Sequence, residues 1–537
     1  MNQDRQRRRH GTHLWSLLLV AVVAALVHLA PFVRAAIQTP DRWVFTGNLS
    51  VSPDAMQYRV WMQQAAEGGP LVSNRLTGEP NPPHLLVVPY YLFAVTGRSL
   101  GISPEFAVIA VGAILGGLLT VMLFQTVRRF LPDGPPVWWT FGTLVVGGGL
   151  GGALRMLASV DFVSARPVLV RYLREPLDQG PVFEAFRGHY VFPTLFDAHF
   201  LLMWVLTLAA VWAIHAYVMH PGLVRSGILV GIVAVTSVAH IYEAVTLCAI
   251  GAGVALVGAR AGLRRRECWR VLVLVALPAM TGALGQVLLY SRSGLPFPTW
   301  RGLNVLVAML VVAFPVQWIL LAHGWPRLWG AISRQETILV GWAAGCLGVA
   351  LSGPFFPYPH RGILTLQVPL TILAGLVYFE RRHRVPAVHV VIALALTMGT
   401  PALSVHRLLQ ASEFQSTKPY AFLGPDHQLI LRTMRSTATE SDLLLARGGD
   451  LLWLGPEFPG RLYLGHFFLT VDYERKRREV EQFFALPADL QRKFLDERSI
   501  RFVFVSVREQ AEQMDRVAGL VAVVRTDVGV LYERRSR

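Results

Sequence analysis

The sequence predicts a polytopic α-helical membrane protein with a small α/β domain at its C-terminus. Of its 537 residues, 53% are hydrophobic and only 16% are charged, a composition typical of membrane proteins. Apolar stretches long enough to cross a bilayer recur as far as residue 404, and a less apolar segment with alternating strand and helix patterns follows. We therefore predict a membrane domain at 1–404 and a C-terminal domain at 405–537.

The first apolar stretch, 14–36, follows a basic leader that contains several arginines. A cleaved signal peptide is one interpretation, but the stretch is longer than a typical signal core and shows no small-residue cleavage site, which favours a retained anchor. Further stretches of span length bring the predicted total to about eleven spans. These further stretches are 105–127, 137–157, 194–218, 224–239, 242–259, 271–290, 303–322, 337–352, 362–379 and 387–404.

Two apolar segments need a different interpretation. The segment 84–96 contains Pro89 and is too short, at about 1.5 Å per residue, to cross a hydrocarbon core of about 30 Å, so we predict a surface or re-entrant helix there. The run 224–259 is too long for one span. We predict that it turns within Ala239–Glu243.

The arginine distribution predicts the orientation. Clusters at Arg128–Arg129, Arg264–Arg266 and Arg381–Arg384 fall in loops on one side, which the positive-inside rule identifies as the cytoplasm. The N-terminus is then cytoplasmic, whereas the first outer loop, 37–83, and the C-terminal domain are extracytoplasmic, in a multi-pass protein of the cytoplasmic membrane. Because the net charge of +16 is concentrated in short loops, it does not predict binding of nucleic acid. Membrane lipids that carry phosphate are the expected partner.

Strand and helix patterns alternate in the C-terminal domain. Short apolar runs of the kind found in buried strands precede and follow segments with apolar residues at helical spacing. The predicted strands are 442–446, 461–465 and 500–506, with a final strand pair within 519–533, and the predicted helices are 471–485 and 487–499.

Asp54 is the strongest catalytic candidate from its position. It lies in the first outer loop, within Ser52–Gly69, which we predict to be a short surface helix. A carboxylate just outside the bilayer can act as a general base that takes a proton from an acceptor hydroxyl. The alternative is structural, because Ser52 or Asp54 beside Pro53 also fits a helix N-cap.

Other ionisable side chains are predicted to gather at span ends on the same outer face, where an unpaired charge is costly and therefore often functional. His199 begins a span after Asp197; we expect either a contact to phosphate or sugar, or a carboxylate that complements the helix dipole. His240 and Glu243 are three residues apart and either bind a ligand or pair with each other.

A basic pair and a glycine-histidine pair complete the candidates. Arg361, next to His360, departs from the positive-inside trend, and its guanidinium either holds a phosphate through two hydrogen bonds or extends to lipid headgroups. Gly465-His466 follows a predicted strand, where it contributes either to a site or to a structural turn.

No metal or disulfide pattern is present in the sequence. Cys248, Cys268 and Cys346 are scattered and have no metal-ligand spacing. The chain has neither a His-Glu-x-x-His motif nor an Asp-x-Asp pair. We therefore predict no cofactor and no metal; a divalent metal held by histidines and carboxylates is the alternative, which the sequence does not indicate.

The order of these parts resembles the GT-C class of membrane glycosyltransferases, which use polyprenyl-phosphate sugars. The resemblance rests on a cytoplasmic N-terminus, one span, a large first outer loop with Asp-x3-Tyr at Asp54–Tyr58, many further spans and an extracytoplasmic C-terminal domain. In that class the first outer loop supplies the catalytic Asp, which implies that Asp54 is the general base and that Tyr58 lies in the substrate site.

Several short segments also look like bacterial, uncharacterised members of the class. Such members often show Asn-Pro-His at the start of a span, where this chain has Asp197-Ala-His199, and this departure argues against Asp197 as the base. The missing Asp-x-Asp pair suggests a metal-independent member. The segments are Glu79–His84 with Tyr90-Tyr91, Ala239–Ala244, and Gly465-His466 with Thr470, and they imply substrate binding at His84, His240, Glu243 and His466.

The resemblance implies a hexosyl- or pentosyltransferase of the cell envelope, with a polyprenyl-phosphate sugar as donor and a lipid, glycan or protein as acceptor. One alternative is a secondary transporter or lipid flippase, and another is a non-catalytic membrane scaffold. Transporters usually show inverted repeats and broken helices at the membrane midplane. This sequence shows no repeat, and its ionisable groups crowd one face.

Overall fold

The computed structural model describes residues 2–149, 191–296, 310–311, 313–330, 332–352, 359–379, 391, 395 and 397–535. The chain divides into two compact units, which interleave along the sequence. The membrane unit comprises Met1–Ala30, Ala110–Gly285 and Arg301–Leu409. The sheet unit comprises Pro31–Ile109, Gln286–Trp300 and Gln410–Arg537.

Apolar helices confirm the predicted helical membrane class. Among the described residues, five helices are long and apolar enough to cross a membrane: Trp15–Gln38 (the apolar part of helix Asn2–Gln38), Pro104–Phe130, Ala198–Met219, Ile241–Arg260 and Arg265–Ser291. Shorter helices are Pro135–Val146, Val191–Thr194, Leu223–Ala239, Pro315–Gly330, Glu336–Ala350, Gln367–Phe379 and Gly399–Ser412.

The number of crossings and the orientation of the termini stay predictions. Parts of the predicted spans 137–157, 303–322 and 387–404 lie outside the described residues, as does the arginine cluster Arg381–Arg384.

Glycines allow two helices of the membrane unit to approach closely. A Cβ atom added to Gly253, in helix Ile241–Arg260, would lie 2.2 Å from the carbonyl oxygen of Gly341, in helix Glu336–Ala350. A Cβ on Gly345 would lie 2.5 Å from the carbonyl oxygen of Ala249. Small residues at such contacts are typical of helix pairs in membranes, because close backbone packing replaces the hydrophobic driving force.

The predicted break within 224–259 is present at His240. One helix ends at Ala239 and the next begins at Ile241, and between them the backbone of His240 is extended, with φ −156° and ψ 115°. The His240 N–H still donates to the Thr236 carbonyl oxygen at 3.0 Å. The break therefore brings His240 and Glu243 to a junction between two helices.

A five-stranded mixed sheet forms the centre of the sheet unit. The first three strands in space run parallel, and the other two are antiparallel to their neighbours. The spatial order is Arg461–Leu462, Leu443–Leu445, Phe502–Val505, Gly529–Arg534 and Leu520–Thr526.

The strands agree with the sequence patterns, although the strand predicted at 461–465 is only two residues long. Two of the surrounding helices, Tyr473–Phe483 and Ala488–Glu497, lie within predicted helices. Three others were not predicted: Pro425–Thr437, Gly448–Leu454 and Arg508–Met514.

The segment 37–83 packs against this sheet. Successive strand side chains point to opposite faces, and Phe502 and Phe504 meet Met56 and Val60 of helix Pro53–Gly68 in one core. A second core, on the other face, contains Val503 and the helix side chains of the C-terminal segment. The sheet unit thus combines segments far apart in sequence, while the predicted domain boundary at 404/405 stays a prediction.

One short strand pair strengthens this union: Val44–Phe45 pairs with Phe422–Leu423. A second pair, Leu71–Val72 with Leu85–Leu86, lies within the N-terminal part of the sheet unit. Helix Val88–Leu100 follows directly, where we predicted a surface or re-entrant helix over 84–96. Its relation to the membrane stays a prediction.

Candidate active site

Asp54 lies in the first turn of helix Pro53–Gly68 but does not cap it. The Ser52 hydroxyl accepts the Asp54 backbone N–H at 3.1 Å, and Pro53 begins the helix without an N–H to satisfy. The capping role that the sequence left open between Ser52 and Asp54 therefore belongs to Ser52. The Asp54 carboxylate takes no part in the cap, and it is 49% exposed.

The Asp54 carboxylate contacts His466. The distance from His466 Nε2 to Asp54 Oδ1 is 2.8 Å, and the imidazole is fully buried. His466 Nδ1 accepts the backbone N–H of Phe468 at 3.2 Å. Because a neutral imidazole with an accepting Nδ1 carries its proton on Nε2, His466 donates to the carboxylate. This Asp54–His466 pair fixes one oxygen of a carboxylate that remains accessible.

Hydrogen bonds within its own turn and to the segment at Asn74 and Leu76 hold His466 in place. Thr470 Oγ1 donates to the Leu76 carbonyl oxygen at 2.7 Å and accepts the Gly465 N–H at 3.0 Å. Asn74 Nδ2 donates to the Leu469 carbonyl oxygen at 2.7 Å. The turn that carries His466 is thus hydrogen-bonded to the segment around Asn74 and Leu76.

Gly465 is required by this close approach. A Cβ at that position would lie 2.5 Å from the carbonyl oxygen of Leu76, and backbone atoms cannot give way as a flexible side chain can. The Gly-His pair that the sequence singled out therefore has a steric reason: the glycine lets the turn reach the loop, and the histidine reaches Asp54.

A buried ion pair links the same two segments. Lys476 Nζ donates to both carboxylate oxygens of Glu79, at 2.6 and 2.8 Å, and the Lys476 side chain is almost fully buried. Burial acts to raise the pKa of the Glu79 carboxyl, but hydrogen bonds from Lys476 and Thr77 outweigh it and hold that pKa below its ordinary value.

Tyr58 lies in an aromatic group one turn after Asp54. Its ring stacks on Tyr90, with centroids 4.8 Å apart and planes 23° apart, and Trp61 contacts both rings. Tyr58 is half-buried, so part of its side chain is exposed to solvent.

His84 is buried with one nitrogen already used. Its Nδ1 lies 2.8 Å from the Pro82 carbonyl oxygen, which requires a proton on Nδ1, and its Nε2 has no hydrogen-bond partner among the described residues. Burial lowers the pKa of His84, so the ring is neutral and Nε2 is an acceptor. The ring also meets Tyr290 edge-on at 5.3 Å.

The membrane unit holds a second group of candidates. The His199 and His240 rings lie 5.1 Å apart, and His240 Nδ1 is hydrogen-bonded to Glu243. The Arg361 guanidinium lies 5.3 Å from the Phe200 ring and 5.5 Å from the Tyr242 ring, in cation–π contact. His199, His240, Glu243 and Arg361 are called the histidine–arginine group below.

Asp197 has the structural role that the sequence offered as its alternative. Its carboxylate accepts the backbone N–H groups of His199 at 3.0 Å and of Phe200 at 3.3 Å, which caps helix Ala198–Met219. Its position agrees with the expectation that Asp197 is not the base.

The predicted site residues therefore fall into two groups. The sheet unit contains Asp54, Tyr58, His84 and His466, and the membrane unit contains the histidine–arginine group. The side chain of His360 lies outside the described residues. A single composite site stays a prediction.

One charged residue near the first group was missed. Arg59, in the same helix as Asp54, is buried and pairs with Glu457 at 3.1 Å and with Glu105 at 3.5 Å. No sequence pattern connects residues so far apart. The available sequence signal was that Arg59 lies on the predicted helix between Met56 and Val60, two apolar residues expected to face a core.

Metal ligands do not cluster in the described chain. Among the residues that the structure describes, no group of three or more histidine, cysteine, aspartate or glutamate side chains could hold a metal ion.

Comparisons with known proteins give structural likenesses only. No protein-family model matches the chain, and no curated protein sequence matches it. Solved structures similar to it include ArnT from Cupriavidus metallidurans bound to undecaprenyl phosphate, with TM-score 0.47 and 13% identity over 98% of each chain.

Two other solved structures are similar at comparable identity. An oligosaccharyltransferase from Archaeoglobus fulgidus, tethered with an acceptor peptide, gives TM-score 0.44 and 13% identity over 97% of this chain and 74% of that chain. The arabinofuranosyltransferase AftD from Mycobacteria gives TM-score 0.45 and 14% identity over 97% of this chain and 40% of that chain.

Proposed function

We propose that this protein is a membrane glycosyltransferase of the GT-C class, in which Asp54 is the general base. It transfers a hexosyl or pentosyl group from a polyprenyl-phosphate sugar to a hydroxyl of a lipid, glycan or protein acceptor. The reaction takes place at the extracytoplasmic face of the cytoplasmic membrane. The observation that supports this most strongly is the Asp54–His466 pair, an accessible carboxylate held by a buried histidine.

The chemistry needs one base. The acceptor oxygen forms a bond to the anomeric carbon while the bond from that carbon to the phosphate oxygen breaks, and the acceptor proton moves to Asp54. Polyprenyl phosphate leaves with the electron pair and needs no proton. A single carboxylate that is positioned in advance supplies the proton acceptor that this step requires.

His466 is proposed as a positioning residue. Its Nε2–H donates to Asp54 Oδ1, so the carboxylate keeps one orientation in which an acceptor hydroxyl can approach. A misplacement of a reacting group by about 1 Å can lower the rate by about 10²-fold, which is the effect that such a positioning contact prevents.

The histidine–arginine group is proposed to bind the donor phosphate. Negative charge builds on that phosphate as the sugar departs, and a guanidinium and imidazole donors stabilise it. Arg361 packs against two aromatic rings and is therefore held in a defined position. His360, its neighbour in sequence, is proposed to assist.

Tyr58 and His84 are proposed to contact the sugar or the acceptor. The half-buried Tyr58 ring offers an apolar surface with a hydroxyl, and His84 Nε2 offers an acceptor in a buried setting. A hydroxyl-rich ligand can donate a hydrogen bond to His84 Nε2 and pack against the Tyr58 ring. No metal takes part in the proposed reaction.

The experiment is transfer of radiolabel from polyprenyl-phosphate sugars by the purified full chain in liposomes. The proposal expects labelled glycan, lipid or protein product together with released polyprenyl phosphate. A transporter or flippase would instead move the labelled lipid intact across the bilayer. Transbilayer movement with no product from any polyprenyl-phosphate hexose or pentose would overturn the assignment.

A further inference from the structure

A cleft lies beside the helix that carries Asp54. It has a volume of about 600 Å³, and its lining includes Arg59 and Gln63 but not Asp54 or His466. Arg59 is five residues after Asp54, which places it about 140° further around the helix axis. The helix Pro53–Gly68 therefore presents Asp54 on one side and this Arg59 cleft on another.

The lining of the Arg59 cleft carries an excess positive charge. Glu457 accepts hydrogen bonds from Arg59, at 3.1 Å, and from Arg435, while Glu105 lies 3.5 Å from Arg59 Nε. Arg432 is a third arginine in the lining. Two carboxylates thus face three guanidinium groups, so the cleft favours an anion.

Arg59 has a donor left over. Its side chain is only 6% exposed, and its Nη1 has no hydrogen-bond partner among the described residues. An unsatisfied buried donor destabilises the folded protein, and the cost is larger when the group is charged. An oxygen from a bound anion would remove that cost.

The cleft opens where a candidate membrane span begins. Ser103, Pro104, Glu105 and Phe106 all line it, and helix Pro104–Phe130 starts there. The positive end of the helix dipole also favours an anion. Phe106 and Val44, with 41% and 47% of their surfaces exposed, add apolar area to the cleft. The cleft thus favours a ligand that combines an anionic group with apolar surface at the end of a span. A membrane lipid with a phosphate headgroup has both properties.

We propose that the Arg59 cleft binds the phosphate of an anionic membrane lipid. Arg59 Nη1 and Arg432 donate to the phosphate oxygens, and Val44 and Phe106 contact the start of the acyl chains. The site goes beyond the proposed glycosyl transfer, because it uses different side chains from Asp54 and His466 and does not depend on their role.

The test is lipid binding by the purified full chain in neutral detergent, followed by native mass spectrometry and thermal unfolding. Three probes are compared: phosphatidylglycerol, diacylglycerol with the same chains but no phosphate, and inorganic phosphate. We expect one retained phosphatidylglycerol and a raised unfolding temperature. Diacylglycerol and inorganic phosphate should each give neither effect at the same concentration.

Variants locate the site. Arg432→Gln removes a donor at the cleft and Gln63→Glu adds a repelling carboxylate, so each should weaken phosphatidylglycerol binding by about tenfold. Arg508→Gln is the matched control, because that arginine side chain is 93% exposed and lies outside the lining. If Arg432→Gln fails to fold, the binding of phosphatidylglycerol by Gln63→Glu is sufficient to test the site.

Three results would overturn the proposal. Equal lipid retention by wild type and both cleft variants would place the lipid elsewhere. Full protection by inorganic phosphate would show a free-anion site instead of a lipid site. No effect of either phosphatidylglycerol or phosphate would mean that water satisfies Arg59.

Discussion

The two groups of candidate residues are assembled in opposite ways. Asp54 and His466 are 412 positions apart and meet through a turn that is hydrogen-bonded to the first outer loop. His240 and Glu243 are three positions apart and meet across a helix break. The first pair depends on tertiary structure, and the second on local helix geometry.

The two groups also have different proposed roles, so changes in them should affect different kinetic constants. Asp54 and His466 are proposed to act on the acceptor proton during the chemical step, so changes there should lower kcat. The histidine–arginine group is proposed to hold the donor phosphate before and during transfer, so changes there should raise the donor KM and, to a smaller extent, lower kcat.

Apart from replacement of the proposed base itself, the largest effect is expected for His466→Ala. Loss of the Nε2–H donor removes one contact that orients the Asp54 carboxylate, and kcat should fall by up to about 10²-fold with an unchanged donor KM. His466→Gln retains an N–H donor and should recover part of the rate. Steady-state label transfer with both variants provides the measurement. Equal losses in the two variants would point to a packing role for His466 instead of a positioning role.

Gly465→Ala should come next. The new methyl group would meet the Leu76 carbonyl oxygen, and the forced shift should destabilise the sheet unit by about 1–3 kcal/mol while also lowering kcat. Gly448→Ala is the matched control, since a Cβ there meets no atom within 4 Å. Thermal unfolding of both variants in detergent makes the comparison, and similar unfolding temperatures would contradict the close approach at Gly465.

Arg361→Gln tests the other group. Loss of a charge-assisted hydrogen bond to the donor phosphate should raise the donor KM by about tenfold, with a smaller change in kcat. Arg225→Gln, at an exposed helix start outside both groups, should leave both constants unchanged. A fall in kcat alone for Arg361→Gln would contradict the proposal that Arg361 acts mainly in binding the donor.

The smallest effect concerns pH. The pKa of Glu79 is below its ordinary value of 4.5 in the folded protein, so its pairing with Lys476 contributes stability above that value. This contribution is lost as the pH falls through the lowered folded pKa. It should amount to about 0.5 kcal/mol or less, because Glu79 is partly exposed.

Glu79→Gln should therefore flatten the decline of the unfolding temperature below about pH 4.5. Glu440→Gln, at a carboxylate that is 80% exposed, should change that decline less. Identical slopes for wild type and Glu79→Gln would show that the pair does not titrate as stated.

Local features were predictable from the sequence. The break at His240 followed from a run too long for one span, and helix Pro53–Gly68 followed from the polar pattern after the first span. Strands Phe502–Val505 and Leu443–Leu445 lie within predicted segments. Each rests on periodicity within a few residues, which a single sequence displays directly.

Contacts between distant segments were not predictable. The candidates Asp54 and His466 were chosen separately, and nothing in the sequence joined them. The packing of Met56 against the C-terminal sheet and the pairing of Arg59 with Glu457 depend on the same tertiary union. Helix Pro425–Thr437 was not predicted, although its buried residues Ile430, Leu431 and Met434 have helical spacing.

The most direct test compares Asp54→Asn with Asp41→Asn, a carboxylate exchange in the same outer loop, under saturating polyprenyl-phosphate sugar in a single turnover. The amide keeps the shape of Asp54 but cannot take a proton, so label transfer should slow by about 10²- to 10⁴-fold while donor binding persists. Asp41→Asn should react like wild type. Wild-type rates from Asp54→Asn would contradict its assignment as the base.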